Sequence, residues 1–179
     1  YQTVVLSDEV YATYCESSVP SILECPDVES VYVNSFSKEF SMTGWRVAYA
    51  VADEQRIARM RRIAETTITC VPEFVQRAAM ASLRDRSGEA AAARRAILER
   101  VRTACTELRK RDFEFYEPDG GFYVFPHAKN KRVDSEKLAE CLVMKYGVGV
   151  MPGTVFGDYQ GFLRLTVTEP VAVVKEGIE

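Results

Sequence analysis

The chain has 179 residues, 47% of them hydrophobic and 27% charged, enough to bury a substantial core; its 23 Lys and Arg against 26 Asp and Glu leave a net charge of -3. That balance lacks the basic excess that holds a nucleic-acid backbone. No apolar run approaches the roughly 18 residues of a spanning helix, and the opening YQTVVLSDEV has neither the basic lead nor the cleavage site of a signal peptide, so a soluble, cytoplasmic protein with no nucleic-acid or membrane partner is expected. The cysteines, Cys15, Cys25, Cys70, Cys105 and Cys141, are widely spaced without a C-x-x-C pair, which argues against a disulfide framework or a zinc site. The single histidine, His127, followed by Lys129, Lys131 and Arg132, reads as a plain loop residue. The chain opens without Met on an apolar run and closes inside a helical pattern, so a piece of a longer protein is expected.

Val4 to Leu6 is a short apolar run handing over to Ser-Asp-Glu, the pattern of a buried parallel strand ending in a polar loop. VYVNS at 31–35 reads the same way, and WRVAYAV at 45–51 is rich in aromatic and β-branched residues, so three strands of an α/β sheet are expected. From Asp53, an N-cap candidate, Ile57, Met60, Ile63 and Ala64 fall on one helical stripe. Pro72 suits the first position of a next helix running to about Leu83. After Ser87-Gly88, Ala90, Ala93, Ile97, Val101, Ala104 and Leu108 step by three or four residues, the signature of a long helix.

Composition then changes. FEFYEPDGGFYVFP predicts two aromatic strands paired around a Pro-Asp-Gly-Gly turn. DSEKLAECLVMKYG predicts a helix capped by Asp134 or Ser135 and ended by Gly147, GVGVMPG and FLRLTV predict strands, and Glu169-Pro170 opens a last helix. Ligands of open α/β sheets bind beyond the carboxyl ends of strands. Here two consecutive apolar runs end in polar clusters: Ser7-Asp8-Glu9-Val10-Tyr11, and Ser35-Phe36-Ser37-Lys38 followed by Met42-Thr43-Gly44-Trp45-Arg46. A carboxylate, a phenol, hydroxyls, an amine and a guanidinium together suit an anionic ligand that also undergoes covalent chemistry.

In order, SDEVY, SFSKEFSMTGWRVAY, PDGGFYVFP, VMPGTVFG and FLRLTV resemble the C-terminal half of a class I/II aminotransferase, an enzyme dependent on pyridoxal 5'-phosphate with the aspartate aminotransferase fold (fold type I). The resemblance spans nearly the whole chain, and S-x-S-K followed by M-T-G-W-R is its most specific part. It implies an α/β remnant of the mostly parallel large cofactor-binding domain over 1–92 and a small α+β C-terminal domain over 93–179. It also implies a homodimer acting in amino-acid metabolism and biosynthesis, with an amino acid and a 2-oxo acid as substrates. By the same resemblance Lys38 is the lysine that holds the cofactor as a Schiff base and then moves a proton, and Asp8 partners the pyridine nitrogen. Tyr11 hydrogen-bonds the phenolic oxygen, and Ser35, Ser37 and Arg46 bind the phosphate. Arg164 grips the substrate carboxylate; a charge inside an apolar strand is costly unless it faces a partner or a cleft.

Glu9 and Trp45 read as structural, Trp45 as core. Met151-Pro152-Gly153 and Phe156-Gly157 read as loops that shape the cleft entrance. The family's Gly-rich phosphate-binding helix start, ring-stacking aromatic and Asn have no counterpart here, so the chain alone is expected to be inactive, to fold mainly through its C-terminal part and to self-associate through exposed apolar surface. The stretch Thr66–Pro72, TTITCVP, lacks the Arg of dicarboxylate-specific members, which counts against aspartate. Lyase or decarboxylase chemistry on the same fold, and the ligand-sensing half of a transcription regulator, remain the alternative functions.

Overall fold

The computed structural model describes residues 3–111, 113–129 and 133–179; Tyr1, Gln2, Asp112, Asn130, Lys131 and Arg132 lie outside the described residues. The chain divides into two compact units, Tyr1–Arg94 and Arg95–Glu179.

The first unit is built on a three-stranded sheet of β1 (Val5–Asp8), β2 (Ser30–Ser35) and β3 (Ala48–Val51), in that order. β1 pairs parallel with the central β2, from Val5 opposite Ser30 to Asp8 opposite Val33, and β3 pairs antiparallel with β2, Ser35 lying opposite Ala48. The expectation of a buried first strand is corrected: Leu6 is 70% exposed and Val4 and Val5 are also exposed, in a strand that among the described residues pairs only with β2. The third strand begins three residues later than the pattern suggests. Thr43–Trp45 form a 3-10 turn and Arg46 takes a left-handed conformation (φ 54°), which an extended strand cannot include.

The one-turn helix α1 (Phe36–Glu39) follows β2 directly. Its Phe36, with Met42 and Val47, forms the unit's core against Val75 and Ala79 of α3 (Glu73–Arg84). Burying each large apolar side chain of this kind contributes on the order of 1.5–3 kcal/mol. Between them, α2 (Glu54–Thr67) is capped as expected, Asp53 accepting the Arg56 N–H at 3.0 Å. Its predicted apolar stripe is not buried, however, and Ile63 is 63% exposed. Pro72 occupies the cap position of α3, one residue before the expected place, its extended ψ of 143° turning the chain into the helix. α4 (Glu89–Arg109) runs through the boundary between the units, as long as its periodicity predicts.

In the second unit, Val101, Ala104, Cys105 and Leu108 of α4 are buried, as are Phe122, Val124, Leu163, Val167 and Val174. The predicted aromatic hairpin is corrected. β4 (Phe113–Glu114) pairs with β6 (His127–Ala128), whereas β5 (Tyr123–Val124) pairs with β8 (Leu163–Thr166), whose other neighbour is β7 (Met151–Pro152). Gly121 has the positive φ (78°) that the turn signal required, but Tyr116 is 98% exposed and belongs to no strand. The turn residues reverse the chain, and the partner of the second aromatic run is chosen by burial against β8. His127 is not a loop residue: it sits in β6, its Nε2 3.3 Å from the Glu114 carboxylate and its ring 4.8 Å from that of Phe162.

The helix α5 (Ser135–Tyr146) starts on Asp134, whose carboxylate accepts the N–H groups of Glu136 and Lys137, and ends at Gly147 in the left-handed region. Ser135 is fully buried, accepting the Gly161 N–H at 2.7 Å. α6 (Val171–Ile178) begins after Pro170. The loop between β7 and β8 folds tightly over Gly153, where an added Cβ would lie 2.4 Å from the Tyr159 carbonyl oxygen and 2.6 Å from Phe162 Cβ. Gly153→Ala is therefore expected to lose about 1–3 kcal/mol of stability, with Gly149→Ala, which meets nothing within 4 Å, changing it by less than about 0.5 kcal/mol. Urea denaturation of the two variants measures the difference.

Candidate active site

Parallel strands end on the same side of a sheet, so β1 and β2 deliver their polar tails together. Asp8 closes β1, its Oδ1 accepting the Val10 N–H at 3.2 Å in a short turn. Beyond it, Ala12–Tyr14 form a 3-10 turn with Tyr11 at its cap. From β2 the chain passes into α1, which carries Ser37 and Lys38. The Lys38 Nζ lies 5.5 Å from the centroid of the Tyr11 ring, so the lysine and the phenol of the two clusters meet.

Ser35 is the cap of α1. Its Oγ accepts the Ser37 N–H at 3.0 Å and donates to the Val47 carbonyl at 3.3 Å. The hydroxyl thus ties α1 to the residue after Arg46. Arg46 is exposed, and its Nη1 donates to the Thr43 carbonyl at 2.9 Å. A non-glycine residue in the left-handed region costs on the order of 1 kcal/mol, and such residues cluster where a side chain must be aimed. Here the antiparallel pairing of β3 places the Arg46 backbone one residue before Val47, whose carbonyl accepts the Ser35 hydroxyl. Ser35 and Ser37 are thus joined at the end of β2, and Arg46 is carried on the turn that leads into β3.

Trp45 is corrected from core to surface. It is 45% exposed and its ring lies 6.4 Å from that of Phe74. Together with Ile68, Cys70, Val71 and Pro72 these rings line an open apolar hollow of about 680 Å³ that Arg46 borders. Thr66 and Thr67 of the TTITCVP stretch turn their hydroxyls back onto the Ile63 carbonyl, at 2.9 Å each.

Arg164 lies on β8 in the second unit. Its guanidinium sits over two aromatic faces, 4.6 Å from the Tyr123 centroid and 4.9 Å from that of Phe156. Its Nε is buried without a hydrogen-bond partner among the described residues. A buried guanidinium nitrogen without an acceptor is costly, and an anion satisfies it. Phe156, read from sequence as a loop-shaping residue, forms one wall of this arginine site.

Three features escape the sequence. Tyr14, buried, donates its hydroxyl to the Lys38 carbonyl at 2.8 Å. Asn34, an amide inside the apolar run VYVNS, donates to the Tyr32 hydroxyl at 2.7 Å and accepts the Ser35 N–H at 2.6 Å, steering the exit from β2. A polar residue in an apolar strand was the available signal for Asn34; nothing distinguished Tyr14 from an aromatic filling the turn. Arg94 is the third, its Nε donating to the Thr13 carbonyl at 2.5 Å. Among the described residues no cluster of side chains could hold a metal ion, and no helix is long and apolar enough to cross a membrane.

The whole chain, residues 1–179, matches the family "Aminotransferase class I and II". It is 41% identical to an aspartate aminotransferase of Thermococcus kodakarensis over 98% of this chain and 48% of that protein. It is 31% identical to aromatic-amino-acid aminotransferase 2 of Thermococcus litoralis, over 100% of this chain and 48% of the relative. The crystal structure of an aromatic aminotransferase from Pyrococcus horikoshii superposes with a TM-score of 0.90 at 28% identity, covering 98% of this chain and 49% of that one. The α/β architecture is thus that of the aminotransferase fold, and the chain spans about half the length of the curated relatives it matches.

Glu9 holds the connection that carries Asp8 and Tyr11: its Oε1 accepts the Ile22 N–H and the Ser7 hydroxyl, both at 2.9 Å. Burial pushes its carboxyl up, but the bonds from Ile22, Ser21 and Ser7 outweigh that and leave it below the usual carboxylate value. A depressed folded pKa gives stability that is full above the unfolded value and is lost as pH falls through the folded one. Glu9→Gln is expected to lower the urea midpoint at pH 7, with the gap from the parent closing below about pH 4. An equal gap at both pH values contradicts this assignment.

Proposed function

Because the chain belongs to the aminotransferase class I and II family, we propose that it serves as the C-terminal half of a pyridoxal-phosphate-dependent aminotransferase, moving an amino group between an amino acid and a 2-oxo acid. In this proposal residues 1–92 complete the cofactor-binding domain and residues 93–179 form the small domain. The whole enzyme is a cytoplasmic homodimer, and the open apolar hollow around Trp45 and Phe74 supports a face that another subunit covers. The relatives' names include both aspartate and aromatic amino acids, and the proposal extends to the amino-acid and 2-oxo-acid pair they share.

The observation that carries the proposal is the parallel pairing of β1 and β2, with Lys38 brought to 5.5 Å from the Tyr11 ring at the strand ends. The donor set fits pyridoxal phosphate: a carboxylate, a phenol and a primary amine for the ring, and hydroxyls with a guanidinium for the phosphate. When bound, that cofactor supplies a protonated ring that withdraws electrons from the substrate Cα. Asp8 would keep the proton on the ring nitrogen, and the Tyr11 hydroxyl would bond the phenolic oxygen. Lys38 would hold the cofactor as a Schiff base and, once displaced, carry the proton from Cα. Ser37 and Arg46 would bind the phosphate, with Ser35 holding the turn as well as donating. Arg164, with its Nε lacking an acceptor, would take the substrate carboxylate through a bidentate pair. The 179-residue chain alone would be inactive, since the family's remaining cofactor contacts come from the other half.

In the complete protein loaded with cofactor, borohydride reduction and peptide mapping are expected to find the label on Lys38; a label on another lysine rejects the assignment. Arg164→Ala is expected to weaken amino-acid binding by about 2–5 kcal/mol while leaving cofactor affinity near that of the parent. Titration of the bound cofactor's absorbance with an amino acid measures the loss, and an unchanged half-saturation makes Arg164 a structural charge.

A further inference from the structure

We propose that Tyr14 and Arg94 are positioning residues that fix the backbone of the lysine turn, so that Lys38 is held at both its ends by the single turn that follows β1. The inference rests on Lys38 being the cofactor lysine.

Lys38 lies on a helix of four residues, Phe36–Glu39. One helical turn is marginal on its own, because nucleation fixes several dihedrals for very few hydrogen bonds. Within it, the Phe40 N–H reaches the Phe36 carbonyl and the Ser41 N–H reaches the Lys38 carbonyl, both at 3.3 Å. The shorter bond to Lys38 comes from outside: the Tyr14 hydroxyl, 24 residues earlier, donates to the same carbonyl at 2.8 Å. Besides the Tyr14 hydroxyl, the Phe40 and Ser41 N–H groups of the turn itself point at this oxygen. Three residues before Tyr14, the Tyr11 ring faces the Lys38 ammonium at 5.5 Å. One short turn therefore contacts both the amine and the carbonyl of the same lysine.

That turn is itself anchored. The Arg94 guanidinium donates through Nε to the Thr13 carbonyl and through Nη2 to the Cys15 carbonyl, the two carbonyls that flank Tyr14. A planar fork of donors fixes both peptide units at once, which a lysine cannot do. Tyr14 is 4% exposed, and its phenol is pushed up by burial and then by the charge of Glu39, so it stays a donor throughout the neutral range. The order of contacts is Arg94 to the Tyr14 turn to the lysine turn, all within the first unit. A small shift of Tyr14 changes where the amine sits, and misplacing a reacting group lowers rate more than binding.

The test uses the complete protein loaded with pyridoxal phosphate. Tyr14→Phe keeps the ring and removes one donor; Arg94→Lys keeps the charge and removes the fork. For both, kcat is expected to fall about tenfold with KM within about twofold of the parent. The circular dichroism induced in the bound cofactor is expected to weaken, which loss of stability alone does not produce in a protein that remains folded and saturated. Parent values of kcat and induced dichroism in Tyr14→Phe overturn the proposal. Peptide mapping of the reduced parent separates the two failures: a label away from Lys38 removes the premise, whereas a label on Lys38 with an unaltered Tyr14→Phe removes the positioning role alone.

Discussion

The parallel ladder between β1 and β2, from Val5 opposite Ser30 to Asp8 opposite Val33, is the constraint on which the candidate site depends. Two parallel strands must be joined by a long connection, and here residues 9–29 make it with two short 3-10 turns and no α-helix. That connection is free to carry side chains at the strand ends. Glu9 ties its beginning to Ile22, and Arg94 ties the Thr13 and Cys15 carbonyls, so the connection is pinned just after Asp8 and around Tyr14.

On the other strand, the lysine turn gets its rigidity from the core. Phe36, Met42 and Val47 bracket Lys38 and Arg46 in sequence and are buried against α3. The polar residues between them are carried on a loop whose apolar neighbours cannot leave the interior without losing several kcal/mol. The left-handed Arg46 is tolerated for the same reason: the buried Val47 that follows it accepts bonds from both Phe36 N–H and the Ser35 hydroxyl. Packing, capping and an unfavourable backbone angle are thus one arrangement.

The candidate site was legible in the sequence wherever the signal was local. Lys38, Ser35, Ser37 and Arg46 stand within a dozen residues of one another, and the caps Asp53 and Asp134 and the stop at Gly147 follow from side-chain chemistry next to a periodic run. What sequence missed depends on partners far along the chain. The aromatic run around Tyr123 pairs with Leu165 and Thr166, not with the run beside it, because the choice is made by burial against a strand some forty residues away. Trp45 read as core from its hydrophobicity, yet its place is set by Phe74 on another helix and it remains at the surface. Tyr14 could not be told from a space-filling aromatic, since only the fold brings its hydroxyl to the Lys38 carbonyl. Arg164 was legible as an anomaly in an apolar strand; its two aromatic walls and orphaned Nε were not.

In the proposed function the two parallel strand ends grip one cofactor between them. A crystal structure of the complete protein grown with pyridoxal phosphate tests it most directly. Density is expected to run unbroken from Lys38 Nζ into the cofactor, with the Asp8 carboxylate within hydrogen-bond distance of the ring nitrogen and the phosphate against Ser37 and Arg46. A cofactor joined to a different lysine, or seated with its ring nitrogen away from Asp8, would contradict it.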